Sequence, residues 1–156
     1  MRVYVAGPFT TIKGIRKVIE IQKALEGAGI QVLNQLEPFE WRKFYDFRQD
    51  PDLAKQIVEY DLSLVRKADL IVVLADKPSW GSGAEVFYAK ALLEKLVIAI
   101  VTRPARSPWI VHHSDIVLEE LDVEKLVEAI KKLHGRGLPP RSRQQQSPLR
   151  QRQRSR

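Results

Sequence analysis

Short apolar runs alternating with helix-periodic stripes constrain this chain more than any other feature. Arg2-Val3-Tyr4-Val5-Ala6, Ile30-Gln31-Val32-Leu33, Leu70-Ile71-Val72-Val73-Leu74 and Leu96–Val101 have strand length and composition, and Ile116-Val117-Leu118 is a weaker fifth. Between them lie helical patterns. Ile15, Val18, Ile19, Ile21, Leu25 and Ala28 make one stripe across 12–28, and Leu53, Ile57, Tyr60, Leu64 and Val65 another across 52–67. A third helix is expected from Ser82 to about Glu94 and a last from Asp122 to Leu133. Strands that alternate with helices of this length pair in parallel through right-handed crossovers. The expected fold is α/β: a single-domain three-layer sandwich on a five-stranded parallel sheet, Rossmann-like or flavodoxin-like in outline.

In open sheets of this kind ligands sit beyond the carboxyl ends of the strands. Three segments meet there: Gly7-Pro8-Phe9-Thr10, the loop from Ser79 to Glu85, and Thr102–Ser107. The second is the most informative. Asp76-Lys77-Pro78-Ser79-Trp80-Gly81-Ser82-Gly83-Ala84-Glu85 follows the strand 70–74 and opens a helix. Backbone N–H groups at such a junction favour an anion. Ser79, Gly81 and Gly83 lack bulk where a phosphate would need close backbone approach. The run is neither a phosphate loop of the Gly-Lys-Ser/Thr type nor a dinucleotide-binding glycine pattern.

Glu85 is the leading candidate for chemistry. A carboxylate in the first helical turn is expected to be held ionised by the helix dipole, and it could attack an anomeric carbon. The same spacing, Ser82-Gly83-Ala84-Glu85, also matches a capping box, in which the glutamate only satisfies a backbone N–H. Spacing alone leaves both readings open. Asp61, on the helix before the third strand, could orient a sugar or pass a proton to a leaving base, although acids within helices are usually solvated. Tyr4 could present its hydroxyl to the site or simply fill the core. The aromatics Phe9, Trp41, Phe44 and Trp109 could stack on a base or pack internally. His112-His113-Ser114-Asp115, read as strand, would point its two histidines to opposite faces, which argues against a metal site.

Length and charge bound the rest. The 156 residues suffice for one domain with a real core, and no apolar run approaches the ~20 residues that span a bilayer. No secretory signal precedes the first strand and there is no cysteine, so a cytoplasmic protein without disulfides or thiolate metal sites is expected. The net charge of +7 is localised: residues 135–156 hold seven arginines and no acid. Removing these from the 26 basic residues leaves 19, equal to the 19 acidic ones. The expected organisation is therefore a neutral domain over 1–134 and a disordered Arg/Gln-rich tail over 135–156, capable of weak contact with a polyanion.

Taken together, Tyr4-Val5-Ala6-Gly7-Pro8, Tyr60-Asp61-Leu62 ahead of Ala68-Asp69-Leu70-Ile71-Val72, and Gly81-x-Gly83-x-Glu85 resemble the nucleoside 2-deoxyribosyltransferase superfamily over residues 2–133. Within it, Pro78–Glu85 is most similar to the loop of 2-deoxynucleoside 5-monophosphate N-glycosidases, whereas Gly7-Pro8-Phe9-Thr10 looks more like transferases acting on unphosphorylated nucleosides. The resemblance implies that Ser79 and Gly81 bind a 5-phosphate, that Glu85 is the nucleophile, and that Asp61 and Tyr4 serve the sugar and base. It also implies a homodimer with shared active sites, in which Ser107 reaches the neighbouring subunit's phosphate. Lys13 or Arg16 could supply a phosphate-binding cation. The implied activity is hydrolysis of the N-glycosidic bond of a 2-deoxyribonucleoside 5-monophosphate without metal or organic cofactor. Base exchange between deoxynucleosides, or nucleotide binding without turnover, are the alternatives.

Overall fold

The structure, a computed structural model, describes residues 1–36, 46–104 and 107–135. Trp41 and Phe44 and the basic tail beyond Gly135 lie outside the described residues. Five strands, β1 (Arg2–Ala6), β2 (Gln31–Leu33), β3 (Leu70–Leu74), β4 (Leu96–Ile100) and β5 (Ile116–Leu118), form one sheet in the order β2-β1-β3-β4-β5. Every pairing is parallel. The expected α/β class and strand count therefore hold, and the order is the flavodoxin-like one.

The helices cover both faces. α1 (Ile12–Gly27) and α5 (Val123–Gly135) pack on one face, with Val18, Ile21, Leu25, Leu126 and Ile130 against Val3, Val5, Val72, Ile98 and Ile100. α2 (Pro51–Lys67) and α3 (Trp80–Phe87) cover the other, where Leu64, Val65 and Val86 meet Tyr4, Ala6, Ile71, Val73 and Ala99. Alternation along β1 sends Val3 and Val5 to the first face and Tyr4 and Ala6 to the second. Tyr4 thus lies beneath α2 and α3.

Two details depart from the sequence reading. The third helix starts at Trp80 rather than Ser82, and passes at Tyr88–Leu92 into a π-helical turn. A short helix, α4 (Pro108–His112), occupies the segment that includes the first of the paired histidines, with Pro108 in its first turn, where the missing N–H costs nothing. His112 and His113 are therefore not in a strand. Their rings lie edge to face 4.9 Å apart, and His113 Nδ1 sits 2.8 Å from the Trp109 carbonyl oxygen.

Tight packing fixes the loop after β1. A Cβ added at Gly7 would come within 2.4 Å of Val18 Cγ2, and one at Gly14 within 2.0 Å of the Pro8 carbonyl oxygen. Glycine is required at both because α1 folds back directly onto the loop. Asp76, just past β3, ties the carboxyl edge together. Its Oδ1 accepts from the Thr102 backbone N–H and hydroxyl, both at 2.8 Å, and its Oδ2 accepts from Lys17 Nζ at 3.1 Å.

Candidate active site

α3 begins with Ser79 as its N-cap, the Ser79 Oγ accepting from the Ser82 N–H at 3.4 Å. The cap is therefore Ser79, three residues earlier than a Ser82–Glu85 capping box requires. Glu85 lies in the second turn, pointing inward at 7% exposure. Its Oε1 accepts a 2.7 Å hydrogen bond from the Tyr4 hydroxyl. The capping reading of Glu85 is thereby replaced.

The expectation that the helix dipole keeps Glu85 acidic is also overturned. Burial is the dominant influence and pushes its carboxyl up to about 8; the neighbouring Asp61 adds to the rise and the Tyr4 hydrogen bond opposes it. Asp61 projects inward from α2 at 8% exposure, so it is not the solvated helical acid that composition favours. Burial raises it to about 7. Its Oδ1 has no hydrogen-bond partner, an arrangement that costs free energy unless a ligand or water supplies one. Tyr4 is fully buried, and its hydroxyl is held well above the ordinary phenol value by burial and by both carboxyl groups. Three titratable groups from β1, α2 and α3 thus share one desolvated spot, a pattern concentrated at functional sites.

A groove of about 910 Å³ is lined by residues of α3, with Tyr4, Asp61 and Glu85 absent from its lining. Ser79, Ser82, Gly83 and Ser107 line it with Lys77 and Arg103, and Phe87, Trp109 and His113 form an aromatic wall. Trp109 and His113 stack at 5.7 Å with their planes 2° apart. Ser79, Gly83 and Ser107 are thus brought together, whereas Gly81 lines neither this groove nor the smaller cavity nearby. Pro8 belongs to that smaller cavity, with Lys13, Lys17, Lys77 and Arg103. Phe9 packs against the α1/α5 core, on the opposite face of the sheet from Glu85, and Gly7 is occupied in seating α1. The loop 7–9 is therefore not gathered around the carboxyl pair.

Sequence reasoning placed Ser82 and Arg103 within ligand-facing segments without singling them out, and it missed Lys77 and a buried amide relay. Gln22 Nε2 donates to Gln35 Oε1 at 3.0 Å, and Gln35 Nε2 donates to the Val5 carbonyl at 2.5 Å. This relay pins the chain after β2 against the end of β1. A glutamine in a post-strand loop carries no periodic signal that could have flagged it. Among the described residues, no group of three or more His, Asp or Glu side chains is placed to hold a metal ion. No helix among them is long and apolar enough to cross a membrane.

The five-stranded parallel sheet with helices on both faces is a fold shared with other solved structures. A 2-deoxyribosyltransferase from Bacillus psychrosaccharolyticus superposes with a TM-score of 0.62 at 18% identity, over 81% of this chain and 90% of that one. A conserved protein from Enterococcus faecalis V583 gives 0.61 at 20%, over 85% and 98%. A CMP N-glycosidase from Clostridium botulinum gives 0.54 at 16%, over 85% and 99%. At these identities the likeness establishes the fold. No family model matches the sequence, and no curated protein does.

Proposed function

We propose that the protein hydrolyses the N-glycosidic bond of 2-deoxyribonucleoside 5-monophosphates, releasing the nucleobase and 2-deoxyribose 5-phosphate. The observation that supports this most is the buried Tyr4–Glu85 hydrogen bond beside Asp61, on a fold shared with a 2-deoxyribosyltransferase and an N-glycosidase. Between pH values near 7 and 8 the carboxyl pair holds one proton. The productive arrangement has that proton on Asp61 and a carboxylate at Glu85, which the Tyr4 hydroxyl stabilises. A Glu85 oxygen bonds to C1 of the sugar as the C1–N bond breaks, its electron pair leaving with the base. Asp61 gives its proton to that base. Water, losing a proton to Asp61, then attacks C1 and frees Glu85, so configuration is retained overall. A 2-hydroxyl would destabilise the oxocarbenium-like transition state inductively, which favours deoxy substrates.

In this reading the 5-phosphate rests over Ser79–Gly83 at the start of α3. The working form is a homodimer, with Ser107 of one subunit reaching the phosphate bound by the other. The exposed aromatics Trp80 and Trp109 give a second copy an apolar surface to cover. The catalytic domain is 1–134, and the arginine-rich tail makes only weak contacts with polyanions, which deletion of 136–156 removes. Base exchange between deoxynucleosides is the second reading, favoured by the likeness to a 2-deoxyribosyltransferase. Chromatography of base released from deoxynucleoside monophosphates and from unphosphorylated nucleosides, with and without an acceptor base, separates the two. Release from monophosphates irrespective of acceptor supports hydrolysis. Exchange products from nucleosides support transfer, and intact substrate throughout rejects both.

A further inference from the structure

Ser82 is 5% exposed, lines the groove beside α3, and its hydroxyl has no hydrogen-bond partner. A buried helical serine ordinarily bonds back to a carbonyl three or four residues earlier. Here the Ser82 hydroxyl makes no such bond to the Pro78 or Ser79 carbonyl. The orphaned hydroxyl lies in the first turn of an eight-residue helix, where backbone N–H groups also lack intrahelical acceptors. Lys77 and Arg103 line the same groove, and neither makes an ion pair among the described residues. The one carboxylate in the lining, Asp76, is committed to Thr102 and Lys17.

We infer that Ser82, with Arg103 and Lys77, is the charge-reading part of the site: its hydroxyl and the two cations take a phosphoryl group over the first turn of α3. This rests on the reading of the protein as acting on a phosphorylated substrate; it singles out Ser82 within the Ser79–Gly83 loop and adds Lys77 and Arg103 from outside it. Neither Lys13 nor Arg16 lines the groove; Lys13 lines the smaller cavity, which shares Asp76, Lys77 and Arg103 with it. Two cations and a desolvated hydroxyl around a helix N-terminus suit a dianion better than a carboxylate or a neutral ribose hydroxyl. The free 5-phosphate of a substrate and inorganic phosphate share this chemistry.

The test is a pair of measurements on the full chain carrying Ser82→Ala, Arg103→Gln or no change. Thermal unfolding is followed with increasing inorganic phosphate against matched sodium chloride. Steady-state kinetics are then followed on deoxynucleoside monophosphates. An unliganded Ser82→Ala protein should unfold at or slightly above the wild-type temperature, because an unpaired buried hydroxyl is removed. Its phosphate-induced rise in Tm should be at least halved, and its KM for monophosphates raised about tenfold with a smaller change in kcat. Arg103→Gln should lose the phosphate-induced rise and raise KM further. Protection of the wild type alone supports the anion site even if no base is ever released. A fall in Tm of unliganded Ser82→Ala would make the hydroxyl structural and overturn the inference. So would wild-type phosphate protection in both variants, even with base release from monophosphates intact.

Discussion

The Tyr4 hydroxyl donates to Oε1 of Glu85 at 2.7 Å, joining β1 to α3 inside a space that solvent barely reaches. This hydrogen bond favours the ionised carboxylate and so works against the burial that raises Glu85. Tyr4→Phe should therefore raise the Glu85 pKa further. The acid limb of the kcat/KM profile moves to higher pH, and the rate at pH 7 falls by roughly 10- to 100-fold. An unchanged acid limb in the variant would separate Tyr4 from the proposed nucleophile.

Under the proposed hydrolysis, the pH profile of the unmodified protein follows from the carboxyl pair. Activity rises with pH as Glu85 loses its proton and falls as Asp61 loses its own. With groups near 7 and 8, kcat/KM is bell-shaped with its maximum between about pH 7 and 8. Measurement from pH 5 to 10 checks this, and a plateau extending down to pH 5 contradicts it.

Removing either carboxyl separates its two roles. Glu85→Ala abolishes turnover with the fold intact by circular dichroism. Asp61→Asn keeps the volume but supplies no proton, so its rate loss, on the order of 10²-fold or more, is greatest for bases that leave poorly without protonation. Equal loss across all bases would assign Asp61 to sugar positioning instead.

The same groups link stability to pH. Folded Glu85 and Asp61 hold protons more tightly than in the unfolded chain, whose values lie near 4. Their stabilising contribution is complete below that value and is lost as pH rises through about 7 and 8. Tm should fall between about pH 4 and 8 in the wild type and level off above, and this fall should be shallower in Glu85→Gln, as read by calorimetry.

Asp76 behaves oppositely. Burial alone would raise its carboxyl, but the Thr102 N–H and hydroxyl together with Lys17 outweigh that and hold it below the ordinary range. Its contribution is present above the unfolded value and lost as pH falls through the folded one. Asp76→Ala removes the acceptor of the Thr102 N–H and hydroxyl and the partner of Lys17, and costs about 1 kcal/mol, lowering Tm by roughly 3 °C at neutral pH and less at pH 3.

Much of the fold was legible because its signals are periodic. Val3 and Val5 against Tyr4 and Ala6, or the Leu64–Val65 edge of α2, follow from alternation and helical spacing, and the strands 70–74 and 116–118 coincide with expectation. The site was legible only where sequence spacing carried a loop or a helix start. Glu85 was selected that way, whereas Asp61 and Tyr4 were pointed to by the superfamily resemblance; the burial of all three was not foreseen, since it depends on how α2 and α3 close over β1. The ionisation state of Glu85 was misjudged for this reason: a first-turn dipole argument says nothing about desolvation in the second turn. The α4 turn was missed because five residues beginning at a proline carry too little periodicity. Ser82 went unnoticed as a candidate because a serine near a helix start reads as a cap until the actual cap, Ser79, is known.

Eighty-one positions separate the hydroxyl of Tyr4 from the carboxyl it touches, and β1 pairs with β3, which starts at Leu70. During synthesis the residues of β1 therefore leave the ribosome long before their central partner exists. Only after the polypeptide has emerged well past Phe87 can the reactive centre close. Nascent chains stalled short of that point hold an apolar strand with one edge satisfied at most, a natural substrate for chaperones. Maturation of this centre is in that sense a late event in the life of each molecule, timed by translation rather than by local helix formation.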